Sequence, residues 1–280
     1  MKKIGIVDYF IDEWHSNTYL GLFENACKDL GLDYKIAYGY AEVEGIEGKI
    51  STDEWCALKG VERCYSIKEL CEKSDNILIL APANPETHLK FAEEVFKFGK
   101  TTYVDKTFAP DAATALKIVE LGEKYGTKFF TTSALRYANE INDFIGSKYI
   151  SIDGGGRSLE EYIIHQIEML VKTIGTGAEK LKLAEKEDGL YVIDICYPDD
   201  RQAQLHYKNE YPFVCRAKNK DGELVEAAAE SNYFQVLINK ILNFFETDEI
   251  DFKMEESIEA MKLREAVIKA KASPEEWITL

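Results

Sequence analysis

Two rhythms along this 280-residue chain predict an α/β protein in two parts. In the first half, apolar runs of strand length alternate with helical patterns, so each return needs a crossover and the sheet is parallel and doubly wound. In the second half, strand-like segments follow one another without intervening helices, as in a half-exposed, mostly antiparallel sheet of α+β type. The rhythm changes near residue 135, which gives expected domains of 1–134 and 135–280.

Taken in order, strands are expected at 3–7, 34–38 (YKIAY), 77–81 (ILILA), 101–104 (TTYV) and 127–132 (TKFFTT). Helices are expected between them. Residues 14–30 place Leu20, Phe23, Cys27 and Leu30 at helical spacing. A second pattern runs over 85–98 and ends at Gly99. A third begins at Pro110 and stops at Gly126, a proline-in, glycine-out punctuation. Beyond 135, a helix over about 158–174 follows SIDGGG. The segments KLKLAEKE, LYVIDICY, AQLHYK, YPFVCRAK and ELVEAAAE then alternate like strands, and helices near 231–246 and 254–272 close the chain.

Composition narrows the function. A formal charge of −16 without basic clusters argues against a nucleic-acid partner. No apolar stretch is long enough to cross a bilayer, so no membrane role is expected. The opening MKKIGIVDYFIDEWH meets acids and a tryptophan too early for a secretory segment. Six cysteines without a C-x-x-C pair read as reduced thiols of a cytoplasmic protein.

The stretch FGKTTYVDKTFAPDAATALKIVELGEKYGTKFFTTSALRY (98–137) resembles the Gfo/Idh/MocA oxidoreductases, in which glycine-lysine and a strand precede Glu-Lys-Pro and a helix. Here the motif reads Asp105-Lys106-Thr107. APANPETH (81–88) is similar to that family's Pro-Asn…His segment, and IIHQIEMLVKTIG (163–175) to its histidine-bearing helix. The resemblance implies a Rossmann-type domain followed by a domain with an open sheet. It also implies NAD or NADP at the strand ends, near Asp8, Tyr9, Phe10, Pro82, Asn84, His88 and Asp105. The implied catalytic set is Lys106, His165 and Glu161, with Arg136 and Glu168 as substrate contacts and a sugar or polyol derivative as the small-molecule substrate; apart from the resemblance, Trp14 with His15 and Asn17 could line a carbohydrate site. A homodimer or higher homo-oligomer through the second sheet is implied as well.

The chemistry is sensible. Oxidising an alcohol leaves a proton that a positioned base must take; lysine serves when its pKa is lowered, and histidine titrates near neutrality. Glu161, four residues before His165, shares its helix face and could orient the ring. Yet Ser158-Leu159-Glu160-Glu161 is also an S-x-x-E capping box, and Glu161, His165, Glu168 and Lys172 lie opposite an apolar face, as a solvated surface would. His88 and His206 read as structural, His88 at most as a contact at the edge of the cleft.

The turn after the first strand departs from the family. G-x-G-x-x-G normally lets a pyrophosphate approach the backbone and the helix N-terminus. Aligned on the strand, Asp8, Phe10 and Glu13 take the three glycine positions. Phe10 would fill space, and each like-charge pair a few ångströms apart costs about 4 kcal/mol at an effective dielectric near 20. The second strand offers no ribose-binding acid before Glu42. Asp12 is expected to cap the first helix and Trp14 to sit in its core. Lys106-Thr107, lacking proline, is expected trans. Asp8, Asp12, Glu13 and His15 have no recognised metal-ligand spacing, so no metal is expected. The sequence therefore predicts an oxidoreductase with an altered cofactor mode. The alternatives are a sugar-binding or regulatory protein that has lost the cofactor and a cofactor-independent lyase or isomerase.

Overall fold

The computed structural model describes residues 1–218 and 222–280. Its contacts divide the chain into two units, residues 1–132 with 234–251, and residues 133–233 with 252–280.

The first unit opens with β1 (Lys2–Asp8), whose Ile4, Ile6 and Val7 are fully buried. There follow α1 (Trp14–Leu30), β2 (Tyr34–Ala41), α2 (Thr52–Lys59), β3 (Glu62–Arg63), α3 (Ile67–Lys73), β4 (Asn76–Ile79), α4 (His88–Val95), β5 (Thr102–Val104), α5 (Ala112–Tyr125) and β6 (Phe129–Thr131). The strands form one parallel sheet in the order β3-β2-β1-β4-β5-β6. The chain leaves β1 toward β2 on one side and later reaches β4 on the other, so the order reverses between β1 and β4. In such sheets the crevice at the carboxyl ends of those strands is the place for a ligand. Helix ends follow local chemistry: Glu13 caps α1 and Gly31 closes it at φ 66°, while Asp111 caps α5.

Five expected strands and three helices of this half are present; α2, β3 and α3 are additions. Their apolar stripes are short, but each helix announces itself by a cap, Ser51 bonding the amide of Glu54 and Ser66 that of Glu69. The helix expected over 85–98 is α4 flanked by 3-10 turns.

The second unit contains β7 (Tyr149–Gly154), α6 (Leu159–Ile174), β8 (Lys180–Glu185), β9 (Tyr191–Cys196), β10 (Gln202–Tyr207), β11 (Val214–Lys218) and β12 (Leu224–Ala228). After α7 (Tyr233–Thr247), the chain ends with α8 (Met254–Ala272) and β13 (Trp277–Thr279). The sheet order is β12-β11-β7-β10-β9-β8-β13; among the described residues only the β7–β10 pair is parallel. β7 and β13 were not anticipated: SIDGGG hides a strand end, and β13 is three residues long. Helices α6 and α8 pack on each other and on the sheet, α6 through Ile163, Ile167, Leu170 and Val171.

Whereas the sequence places all of 135–280 together, most of α7 belongs with the first unit. Its rings explain why: Phe244 meets Phe130 at 4.9 Å, Phe245 meets Tyr34 at 6.3 Å, and the Gln235 amide donates to the carbonyl of Leu22. Among the described residues, no helix is long and apolar enough to cross a membrane.

Candidate functional site

In the first unit, the carboxyl ends of β1, β4 and β5 bring together Asp8, Ala81, Asp105 and the start of α1. Asp8 is 1% exposed. Its Oδ1 accepts from the amides of Tyr9 (2.8 Å) and Ala81 (3.1 Å), and its Oδ2 pairs with the Ser16 hydroxyl (2.8 Å). Burial, then repulsion from Glu13, outweighs these bonds and holds the Asp8 carboxyl well above the usual carboxylate range.

Glu13 is the N-cap of α1 and accepts from the Ser16 amide at 2.9 Å. Burial opposes its charge, but His15 and the helix amides win, so it titrates below the ordinary glutamate value. Its other oxygen lies 3.4 Å from His15 Nδ1, and His15 Nε2 is 3.6 Å from Asp105 Oδ2. Tyr103 donates to Asp105 Oδ1 at 3.1 Å. Asp105 Oδ2 receives no hydrogen bond from the described residues, although Asp105 is only 1% exposed. The His15 ring is held edge-on by Trp14 and Tyr19.

Several expectations need correction here. Asp12 does not cap α1; Glu13 does, while Asp12 accepts from Asn17 Nδ2 and the Ile50 amide. Trp14 is 52% exposed rather than core, because it precedes the buried stripe of α1 and rests on Phe234 at 4.7 Å. The Lys106–Thr107 peptide is cis, not trans. His88 is not a contact at the cleft edge: it is 0% exposed, with Nδ1 against the carbonyl of Phe108 (2.9 Å) and Nε2 against that of Leu80 (2.7 Å). It therefore ties β4 to the segment after β5.

The remaining first-unit candidates lie nearby. Lys106 is half-buried, its Nζ 3.4 Å from the carbonyl of Pro82. Tyr9 and Phe10 are half-buried, and the Asn84 amide donates to Glu86.

The second unit holds the other group. His165 is half-buried on α6, with Nδ1 2.6 Å from Ser133 Oγ and its ring between Tyr162 and Phe213. Glu161 does not orient it; Glu161 pairs with Arg157, and its amide bonds Ser158 Oγ as the capping reading expects. Arg136 and Glu168 are not placed as substrate contacts. They form a buried ion pair at 3.3 Å, each side chain 5% exposed; Arg136 also pairs with Glu256 and covers the Phe252 ring at 4.0 Å. A charge so enclosed and neutralised has little left to offer a ligand. Ser16, Tyr103 and Ser133 were not anticipated. Only Ser133 had a sequence signal, as the small hydroxyl residue closing the TTS run after β6.

The comparisons accord with this architecture. No family model and no curated protein matches the sequence. Among solved structures, a probable dehydrogenase from Thermotoga maritima matches with a TM-score of 0.78 at 13% identity, covering 99% of this chain and 98% of that one. Scyllo-inositol dehydrogenase from Lactobacillus casei, solved with NAD(H) and scyllo-inositol, gives 0.76 at 14%, over 99% and 98%. UDP-N-acetylglucosamine 3-dehydrogenase from Acidithiobacillus ferrooxidans gives 0.75 at 12%, over 96% and 97%. The chain has the Gfo/Idh/MocA dehydrogenase fold.

Within this fold the usual partner is a nicotinamide dinucleotide, and the residues present do not fit its standard pose. The Ser16 amide at the start of α1 is taken by Glu13, and the Tyr9 and Ala81 amides are taken by Asp8. A diphosphate placed there would displace bonded carboxyl groups and face the ionised Glu13. Glu42, the first acid after β2, is tied to Lys90.

Proposed function

We propose that the protein is an enzyme of oxidoreductase type acting on a small hydroxylated or keto compound, a sugar or polyol derivative. The observation that supports this reading is the fold likeness over nearly the whole chain to dehydrogenases named for an inositol and for a nucleotide sugar. Converting a carbinol to a carbonyl releases a proton from oxygen, and Lys106 and His165 are the groups assigned to take it. Ser133 fixes the His165 ring through Nδ1. NAD or NADP serving this reaction would be held by contacts other than those of the β1–α1 turn. The proposed assembly is a homodimer through the face of the second sheet that α6 and α8 leave uncovered.

The test is a panel of sugars and polyols with NAD and NADP, read by the absorbance of reduced nicotinamide. Turnover is expected, and Lys106→Ala or His165→Ala should lower it by about 10²–10⁴-fold. The filled turn favours a second reading, a lyase or isomerase that moves protons without a dinucleotide. Its mark is product seen by NMR with no nicotinamide signal. Ligand binding that survives both substitutions without product would instead assign a sugar-binding protein.

A further inference from the structure

The start of α1 is where this fold ordinarily presents unpaired amides to an anion. Here the Ser16 amide of that turn, and the Tyr9 and Ala81 amides beside it, already have carboxyl partners from the same chain. Glu13 Oε1 holds the Ser16 amide at 2.9 Å, and Asp8 holds the amides of Tyr9 and Ala81 together with the Ser16 hydroxyl. The arrangement is buried, with Glu13 at 8% and Asp8 at 1% exposure. It is not a surface accident of side-chain placement.

A second observation points to what the crevice still lacks. Asp105, at the end of β5, keeps Oδ1 on the Tyr103 hydroxyl, but its Oδ2 faces His15 Nε2 across 3.6 Å with no hydrogen bond from the described residues. A buried carboxylate oxygen without a donor is costly, and a ligand that supplies one recovers that cost. The neighbouring ionised Glu13 makes a negative ligand unwelcome. Among the described residues no group of ligating side chains suits a metal ion.

We propose that Glu13 and Asp8 act as a built-in substitute for the diphosphate, and that the crevice beside them binds a ligand bringing hydrogen-bond donors and no negative charge, anchored on Asp105 Oδ2. Hydroxyl and ammonium groups share this chemistry. The sugar- or polyol-directed reading enters only in the choice of probes; the exclusion of a diphosphate stands without it.

Thermal melting with ADP-ribose, myo-inositol and glucosamine, each at millimolar concentration, tests the proposal, since a ligand of the native state raises the melting temperature by mass action. ADP-ribose should leave the protein unmoved. At least one of the donor probes should raise the melting temperature, inositol marking a hydroxyl site and glucosamine an ammonium site, and Asp105→Asn should abolish the rise. Glu13→Gly frees the Ser16 amide while keeping a residue tolerated at an N-cap, and should gain stabilisation by ADP-ribose. If that variant does not fold, Glu13→Gln, which removes the charge alone, should show a smaller gain. Stabilisation of the unaltered protein by ADP-ribose overturns the proposal. So does the absence of any gain in the Glu13 variants, or of any response to both donor probes. Nicotinamide reduction is read separately: turnover without ADP-ribose binding leaves both readings standing, whereas turnover together with ADP-ribose binding removes only this one.

Discussion

Asp8 and Glu13 share one corner of the molecule and titrate in opposite directions. For Asp8, the folded chain retains a proton that the unfolded chain has released at every pH between the ordinary value of 3.8 and the raised one. Its contribution to stability therefore falls as pH rises through that window and stays lower above it. Glu13 behaves inversely: its stabilisation is complete above the unfolded value of 4.5 and is lost as pH falls through the depressed folded value. Asp8→Asn should separate the two. The amide oxygen can keep the Tyr9 and Ala81 amides while the amide nitrogen donates to Ser16 Oγ, and no proton need be held. Melting near neutrality is expected to rise above that of the unaltered protein, and the two curves should converge in strongly acid buffer, where Asp8 is protonated in both states. A lower melting temperature for Asp8→Asn near neutrality would mean that Asp8 serves as an anion.

At the scale of elements, α6 decides which sequence signals were readable. Its apolar stripe predicted the buried face correctly, because a 3.6-residue period directly encodes one packed side. The opposite stripe misled. Glu168 lies 4% exposed rather than at a surface, since Arg136 from the segment after β6 and Glu256 from α8 close over it. No spacing along the chain announces a partner 32 or 120 residues away. The same reason hid the pairings of Ser133 with His165 and of Asp105 with His15, whereas Glu13, Asp8, Asp105 and Lys106 stood out because local motifs frame them. The Arg136 pair carries its own prediction. Arg136→Ala removes one partner of a buried ion pair and should cost about 3–5 kcal/mol, read as a lower denaturation midpoint with an unchanged slope. Glu168→Gln, which keeps a hydrogen-bonding partner for Arg136, should cost distinctly less.

At the scale of the whole molecule, the second sheet alternates between two faces with a period of two. Ile150, Ile152, Ile193, Ile195, Ala203 and Leu205 are buried on one side. The other side carries an interlocked polar row. Glu226 and Asp153 hold Arg216 at 2.5 and 2.6 Å, His206 bridges Asp153 and Gln204 at 2.8 and 2.7 Å, and Gln204 donates to Asp194 at 2.8 Å. These groups run across β12, β11, β7, β10 and β9, with both signs of charge interspersed. A second copy meeting this face about a two-fold axis would set charge against charge, not oil against oil. The proposed dimer should therefore be sensitive to salt. Sedimentation at low ionic strength is expected to give a dimer that dissociates as salt approaches molar, where the screening length shrinks to about 3 Å. Arg216→Glu should shift the equilibrium toward monomer at low salt by placing like charges around Asp153 and Glu226. A dimer indifferent to both treatments would have to be held through another surface.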